Sequence, residues 1–258
     1  IVSRSVVADP DVRSGILALL EDAGIEAHYE RYDRLPGPEN PLEAERGPYR
    51  EASPVVVDAI ARAYASSGIQ CVVAIGGGSA IDTGKAVSVA LAELADADSR
   101  DEGLGSIVDL LEGVGSRAPR GLKLPFVAVP TTAGTGSEAT KNAVLAQPGP
   151  SGFKKSLRHE RFVPDVALVD PTLQLSCPRE LTAASGLDAV TQLLESFVSR
   201  DATPYTDALA LDGLNAAGRS FLRAVERGES DLDARAGMAY AAYLSGVCLA
   251  NAGLGTVH

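Results

Sequence analysis

The run Cys71-Val72-Val73-Ala74-Ile75, passing directly into Gly76-Gly77-Gly78-Ser79, constrains the fold more than any other stretch. An apolar run without polar alternation suits a parallel strand buried on both faces. The glycines end it, and helical periodicity follows over residues 80–94. Strand, glycine turn and helix together open an α/β unit. Glycine lets backbone N–H groups close on an anion with no Cβ in the way. The helix N-terminus adds unpaired donors and a positive dipole end. A pyrophosphate is the natural ligand of such a turn. The spacing is not GxGxxG, and a tight turn that binds nothing is the alternative.

The same alternation runs through the first two thirds of the chain. Residues 5–8 and 25–29 read as strands, separated by a helix whose apolar face carries Ile16, Leu17, Leu19 and Leu20 and which ends at Gly24. Residues 35–54 are rich in Pro, Gly and Glu and read as loop. A helix over 55–65 turns Val56, Ile60 and Tyr64 to one side. Acidic residues 96–102 read as an exposed loop, and residues 124–129 and 166–169 as further strands. From Pro178 onward only helical periodicity remains: a short helix over 178–185, then helices over 186–199, 204–225 and 232–250. The expected architecture is therefore an α/β nucleotide-binding domain over residues 1–177 followed by an all-α domain over 178–258.

Three further stretches carry chemistry. Residues 130–138 (PTTAGTGSE) follow a buried strand and offer hydroxyls and free backbone donors at a sheet edge, where open α/β sheets bind ligands. A polar loop with hydroxyls capping a helix is the plainer reading. Asp188 and Gln192 are four residues apart, on one helix face, and both can direct an oxygen at one ion or substrate. Taken alone, such a pair is more often a solvated face. His258 closes the stretch GLGTVH, and the other histidines, His28 and His159, lie in the first region.

Composition excludes some partners. A net charge of -11 argues against a phosphate-binding surface for nucleic acid. No apolar run reaches membrane-spanning length. The cysteines Cys71, Cys177 and Cys248 form no CxxC pair, so neither a disulfide scaffold nor a zinc ribbon is expected, and a reducing cytoplasm is the simplest compartment. The chain starts at Ile1 and stops at His258, and neither end reads as a natural terminus; a fragment of something longer is expected.

Residues 76–85 (GGGSAIDTGK), 130–140 (PTTAGTGSEAT), 169–173 (VDPTL), 181–192 (LTAASGLDAVTQ) and 253–258 (GLGTVH), in this order and spacing, resemble the iron-containing (group III) alcohol dehydrogenases. The resemblance implies the dehydroquinate synthase-like fold of that family, with a dinucleotide domain and a helical metal and substrate domain. It implies that Gly76, Gly77, Gly78 and Ser79 meet the pyrophosphate, with Asp82 close by. Thr131 and Thr132 would line the cofactor cleft, Lys154 would contact the cofactor and Leu173 would border the nicotinamide. Asp9, placed to bond the ribose hydroxyls, leans the reading to NAD over NADP.

In the family an aspartate and three histidines bind one divalent ion. Asp188 and His258 match two of these positions, and a last histidine would lie beyond His258. Gln192 departs from the pattern, standing where the family has histidine. Its carbonyl is a neutral and weaker donor to iron or zinc, so affinity should fall or preference shift to harder ions. The implied activity is reversible oxidation of an alcohol to an aldehyde or ketone, with Fe or Zn polarising the oxygen. The resemblance also admits a homodimer. A metal-independent reductase like the maleylacetate reductases, a dehydroquinate-synthase-like lyase and a non-catalytic nucleotide-binding module are the competing readings. No residue stands out as the general base.

Overall fold

The computed structural model of the chain describes residues 1–3, 6, 10–36, 49–96 and 104–258. They pack as two compact units: Ile1–Val127 with Asn142–Asp165, and Ala128–Lys141 with Val166–His258. The expected strand at 5–8 and the acidic loop at 96–102 lie almost wholly outside the described residues, as does most of the loop at 35–54.

The first unit opens with Val2, which bridges Arg31 and Ile75 in parallel. Helix α1 (Pro10–Asp22) ends as expected at Gly24. There the Gly24 N–H reaches the Glu21 carbonyl at 2.9 Å and the Ile25 N–H reaches Leu20 at 2.8 Å. This paired closure needs a left-handed residue, and Gly24 has φ +67°. Residues 25–29 carry no strand; pairing on this stretch is confined to Arg31. Helix α2 (Pro54–Tyr64) starts with Pro54 in its first turn and buries Val56, Val57, Ile60 and Ala61. Its Asp58 accepts from Ser106 Oγ at 2.6 Å and from the Ile107 N–H at 2.8 Å, tying the helix to the 3-10 turn Ile107–Leu110.

Strand β1 (Val72–Gly76) runs into helix α3 (Gly78–Asp96), which is buried from Ala80 through Leu91. Burial of β1 on both faces holds for four of its five residues; Val73 is 38% exposed. A Cβ on Gly84 would sit 2.7 Å from Ala74 Cβ and 3.0 Å from Phe126 Cε2, so glycine is what lets α3 lie close on the sheet. Strand β2 (Phe126–Pro130) is pinned at its start by Asp165, whose carboxylate pairs with Lys123 and accepts the Phe126 N–H at 2.7 Å. Strands β3 (Asn142–Gln147) and β4 (Phe153–Arg158) form an antiparallel hairpin, Asn142 opposite Arg158. Sequence reading missed this hairpin, because Ala143, Val144, Leu145 and Ala146 are all apolar and hide the alternation of buried Ala143 and Leu145. Strand β5 (Val166–Ala167) completes a sheet ordered β1-β2-β5.

The second unit is built on helices α4 (Arg179–Phe197), α5 (Pro204–Arg227) and α6 (Leu232–Ala252). Two helices were expected over 178–199; a single one forms. Gly186 does not break it, because that glycine serves packing: a Cβ there would sit 2.6 Å from the Phe221 ring. The core of Leu193, Ala210, Ala217, Ala224, Met238, Ala241, Leu244 and Cys248 is rich in alanine, so the three helices approach closely. Thr203 caps α5 in a capping box with Thr206, and Asp231 caps α6 by accepting the Ala234 N–H at 3.0 Å. The α/β region followed by an all-helical region is the expected fold class. The packing units differ from a single cut at 177, since residues 128–141 and 166–177 pack with the helices. No helix among the described residues is long and apolar enough to cross a membrane.

Candidate functional site

In the first unit the glycine turn stands at the end of β1. Gly76 is buried, while Gly77, Gly78 and Ser79 are half-buried. Gly76 has a packing duty of its own: a Cβ would meet Ala80 Cβ at 2.6 Å and Ser3 Cβ at 2.8 Å. The Ala80 and Ile81 N–H groups bond the Gly77 carbonyl at 3.0 and 3.1 Å, and those of Gly78 and Ser79, at the very start of α3, have no acceptor within the helix. Asp82, buried at 8% exposure, accepts the Val144 N–H at 3.0 Å. Lys85, one turn on and fully buried, donates to the Asn142 carbonyl at 2.8 Å. Both therefore tie α3 to β3. Lys154 lies exposed on β4, paired with Glu51 at 2.8 Å. Asp9 lies outside the described residues.

In the second unit residues 131–137 form a turn clamped by backbone contact. Gly136 has φ +62°, and a Cβ there would lie 2.6 Å from the Cα and N of Gly246 on α6. A Cβ on Gly134 would lie 2.7 Å from Ser185 Cβ on α4. These glycines serve close approach within the helical unit. Thr131 is buried and Thr132 half-buried at the head of the turn. Leu173 is half-buried in the 3-10 turn Pro171–Gln174, which Asp170 caps by accepting the Thr172 N–H at 2.9 Å.

Asp188, Gln192 and His258 come together. The Gln192 Nε2 donates to Asp188 Oδ2 at 3.1 Å, and His258 Nε2 lies 3.2 Å from Asp188 Oδ1. The other ring nitrogen of His258, Nδ1, meets Glu195, which also accepts the Val257 N–H at 2.7 Å. Ser196 donates to the Gly253 carbonyl at 3.1 Å and Ser199 to Ala252 at 2.6 Å. Residues 195–199 thus hold the GLGTVH segment against α4, which is how residues some 60–70 positions apart in sequence meet. Burial pulls the His258 imidazole down, but its bonds to Glu195 and Asp188 outweigh this and raise it above the ordinary value. Burial likewise raises Glu195, and the His258 and Val257 bonds bring it below the usual carboxylate range.

Sequence reading missed Glu195 and Ser245. Glu195 had a signal: it continues the helical stripe from Asp188 and Gln192. Ser245, fully buried on α6 with Oγ 3.3 Å from Gln192 Oε1, had none, since only tertiary packing brings α6 beside α4.

The donor set suits a divalent ion. Two ligands of one ion, each about 2.1 Å from it, stand about 3.0–3.4 Å apart, and the 3.2 Å from His258 Nε2 to Asp188 Oδ1 falls in that range, whereas the 3.1 Å contact at Asp188 Oδ2 is a hydrogen bond from the Gln192 amide nitrogen, whose carbonyl faces Ser245. Glu195 engages the far nitrogen of His258, the position an orienting carboxylate takes behind a metal-binding imidazole. Among the described residues no three His, Cys, Asp or Glu side chains form a ready metal cluster. The third donor here is the amide of Gln192. A surface hollow at the α5–α6 turn, lined by Arg227, Ser230 and Asp231, contains none of these residues.

A glycine turn opens a helix in one unit, and a carboxylate, an amide and an imidazole meet in the other. The family model for iron-containing alcohol dehydrogenases matches residues 1–171, and the model for the C-terminal region of that family matches residues 182–258. The chain belongs to the iron-containing alcohol dehydrogenase family. It is 40% identical over 197 residues to long-chain-alcohol dehydrogenase 1 of Geobacillus thermodenitrificans, covering 76% of this chain and 46% of that protein. It is 40% identical over 186 residues to the NAD-dependent methanol dehydrogenase of Bacillus methanolicus, covering 72% of this chain and 45% of that one. Sulfoacetaldehyde reductase from Bifidobacterium kashiwanohense, solved in complex with NAD+, superposes with a TM-score of 0.78 at 29% identity, over 100% of this chain and 60% of that one. The chain spans about half the length of the curated relatives it matches.

Proposed function

We propose that this chain is the nucleotide- and metal-binding part of an alcohol dehydrogenase, which moves hydride reversibly between an alcohol carbon and nicotinamide C4. The carrying observation is the convergence of Asp188, Gln192 and His258, which supports these three as holders of a divalent ion, Fe or Zn. Such an ion, when bound, supplies polarisation of the substrate oxygen. Glu195 orients His258 by engaging Nδ1, which leaves Nε2 directed towards Asp188. Gly77, Gly78 and Ser79 receive the pyrophosphate at the start of α3. Family membership suggests cofactor contacts for Thr131, Thr132, Leu173 and Lys154. NAD is the proposed cofactor, in keeping with the names of the two NAD-linked relatives. The substrate is a small alcohol or aldehyde. All three cysteines are free thiols, which suits a reducing cytoplasm.

One observation favours a second reading, a metal-independent reductase. The Gln192 amide satisfies Asp188 by donating to it, which a neutral imidazole metal ligand would not do. Elemental analysis of the full-length protein, with NADH oxidation against small aldehydes before and after chelation, separates the two. A stoichiometric metal whose removal abolishes turnover supports the dehydrogenase. Undiminished turnover without metal supports the reductase.

A further inference from the structure

Gln192 stands where the family has histidine, and an amide differs from an imidazole in presenting either a donor or an acceptor, according to how it is turned. As placed, its Nε2 donates to Asp188 Oδ2 at 3.1 Å and its Oε1 lies 3.3 Å from Ser245 Oγ. Gln192 is 4% exposed and Ser245 is fully buried, so water does not readily substitute for either contact. The Ser245 hydroxyl has one proton and three acceptors in reach. The Ala242 carbonyl at 2.7 Å is the nearest, ahead of Gln192 Oε1 at 3.3 Å and the Gly134 carbonyl at 3.5 Å. Donating to Gln192 Oε1, the hydroxyl satisfies the amide as placed; turned to donate to the Ala242 carbonyl, it offers Gln192 a lone pair and accepts an N–H instead.

A half turn of the amide then exchanges the two ends at little cost. Nε2 would face Ser245 Oγ, and Oε1 would face the Asp188 carboxylate. Two oxygens about 3.1 Å apart repel, so this orientation is stable only with positive charge beside them. The geometry points to Gln192 as a two-state metal ligand, donating to Asp188 without a cation and turning its carbonyl to one that binds, with Ser245 as the positioning residue that satisfies the amide in both states. This rests on the reading of Asp188, Gln192 and His258 as a metal site. It also gives the site a harder donor set, two oxygens and one nitrogen, which favours Mn²⁺ over Zn²⁺ relative to a site with imidazole at this position.

The test is calorimetric titration of the full-length, metal-stripped protein with MnCl₂ and ZnCl₂. Asp188→Ala should abolish tight binding; if it binds like the unaltered protein, the metal-site reading fails, whatever Ser245 does. Ser245→Ala, which removes only the hydroxyl, should weaken Mn²⁺ binding about tenfold, the effect of losing one hydrogen bond to a buried amide. In a Gln192→Leu background the same change should have no effect. An equal loss in both backgrounds would make Ser245 a structural residue of α6 and overturn the switch, as would no loss in either. Gln192→His should raise Zn²⁺ affinity more than Mn²⁺ affinity; equal change in the two ions would refute the shift in preference.

Discussion

Gly136 is the position where one methyl group should cost most, because two separate penalties meet there. Its φ of +62° lies in the left-handed region, which costs an alanine about 1–2 kcal/mol. The added Cβ would also stand 2.6 Å from the Cα and N of Gly246 and 2.7 Å from the Ala242 carbonyl. These are backbone atoms of α6 and cannot turn aside as a side chain would. Overpacking of this kind costs about 1–3 kcal/mol, so Gly136→Ala should lose about 2–5 kcal/mol, summing the two. Gly24→Ala is the control: it closes α1 at φ +67° and nothing lies within 4 Å of its Cβ position, so only the dihedral penalty of about 1–2 kcal/mol applies. Urea unfolding of both variants, compared at unchanged slope, isolates the contact. The turn that Gly136 anchors carries Thr131 and Thr132, proposed above as NAD contacts, and on that proposal weaker NAD binding should accompany the loss. Equal midpoints for the two variants would refute the claim that backbone approach holds the turn on α6.

Three further outcomes follow from the same packing. Arg31 and Asp33 form a two-pronged pair at 2.7 and 2.8 Å with side chains 1% and 2% exposed; Asp33→Ala should lower stability by about 3–5 kcal/mol, measured by thermal unfolding, with Arg31→Met restoring part of it. Burial raises the Asp165 carboxyl, but Lys123 and the Phe126 N–H outweigh it and hold it below 3.8. Its contribution is therefore complete above about pH 4 and lost as pH falls through the lower folded value. Asp165→Asn should flatten the acid limb of a stability-versus-pH curve in that window, and an unchanged limb would discount the pair. Burial, with Asp207 second, pushes the Cys248 thiol up to about 11, so native-state alkylation at pH 8 should leave Cys248 unmodified while exposed Cys71 reacts; rapid labelling of Cys248 would show that α6 opens.

Much of this protein was settled by local pattern. The apolar run into Gly76–Gly78, the closure of α1 at Gly24 and the helical periodicity past Pro178 each depend on neighbours in sequence, so they survive being read without a fold. Asp188 and Gln192 were legible together for the same reason, since one helix turn sets their spacing. The stop read at Gly186 was not sound, because a glycine made necessary by Phe221 on another helix looks like one that ends a helix. The β3–β4 hairpin was hidden by apolar residues on both of its faces. His258 became part of a site only because Glu195, Ser196 and Ser199 hold its segment on α4. Ser245 reaches Gln192 only because α6 packs beside α4. Sequence periodicity reports which face of an element is buried; which residue of another element meets it is set by how helices and segments pack within the unit, and that decided what surrounds Asp188 and Gln192.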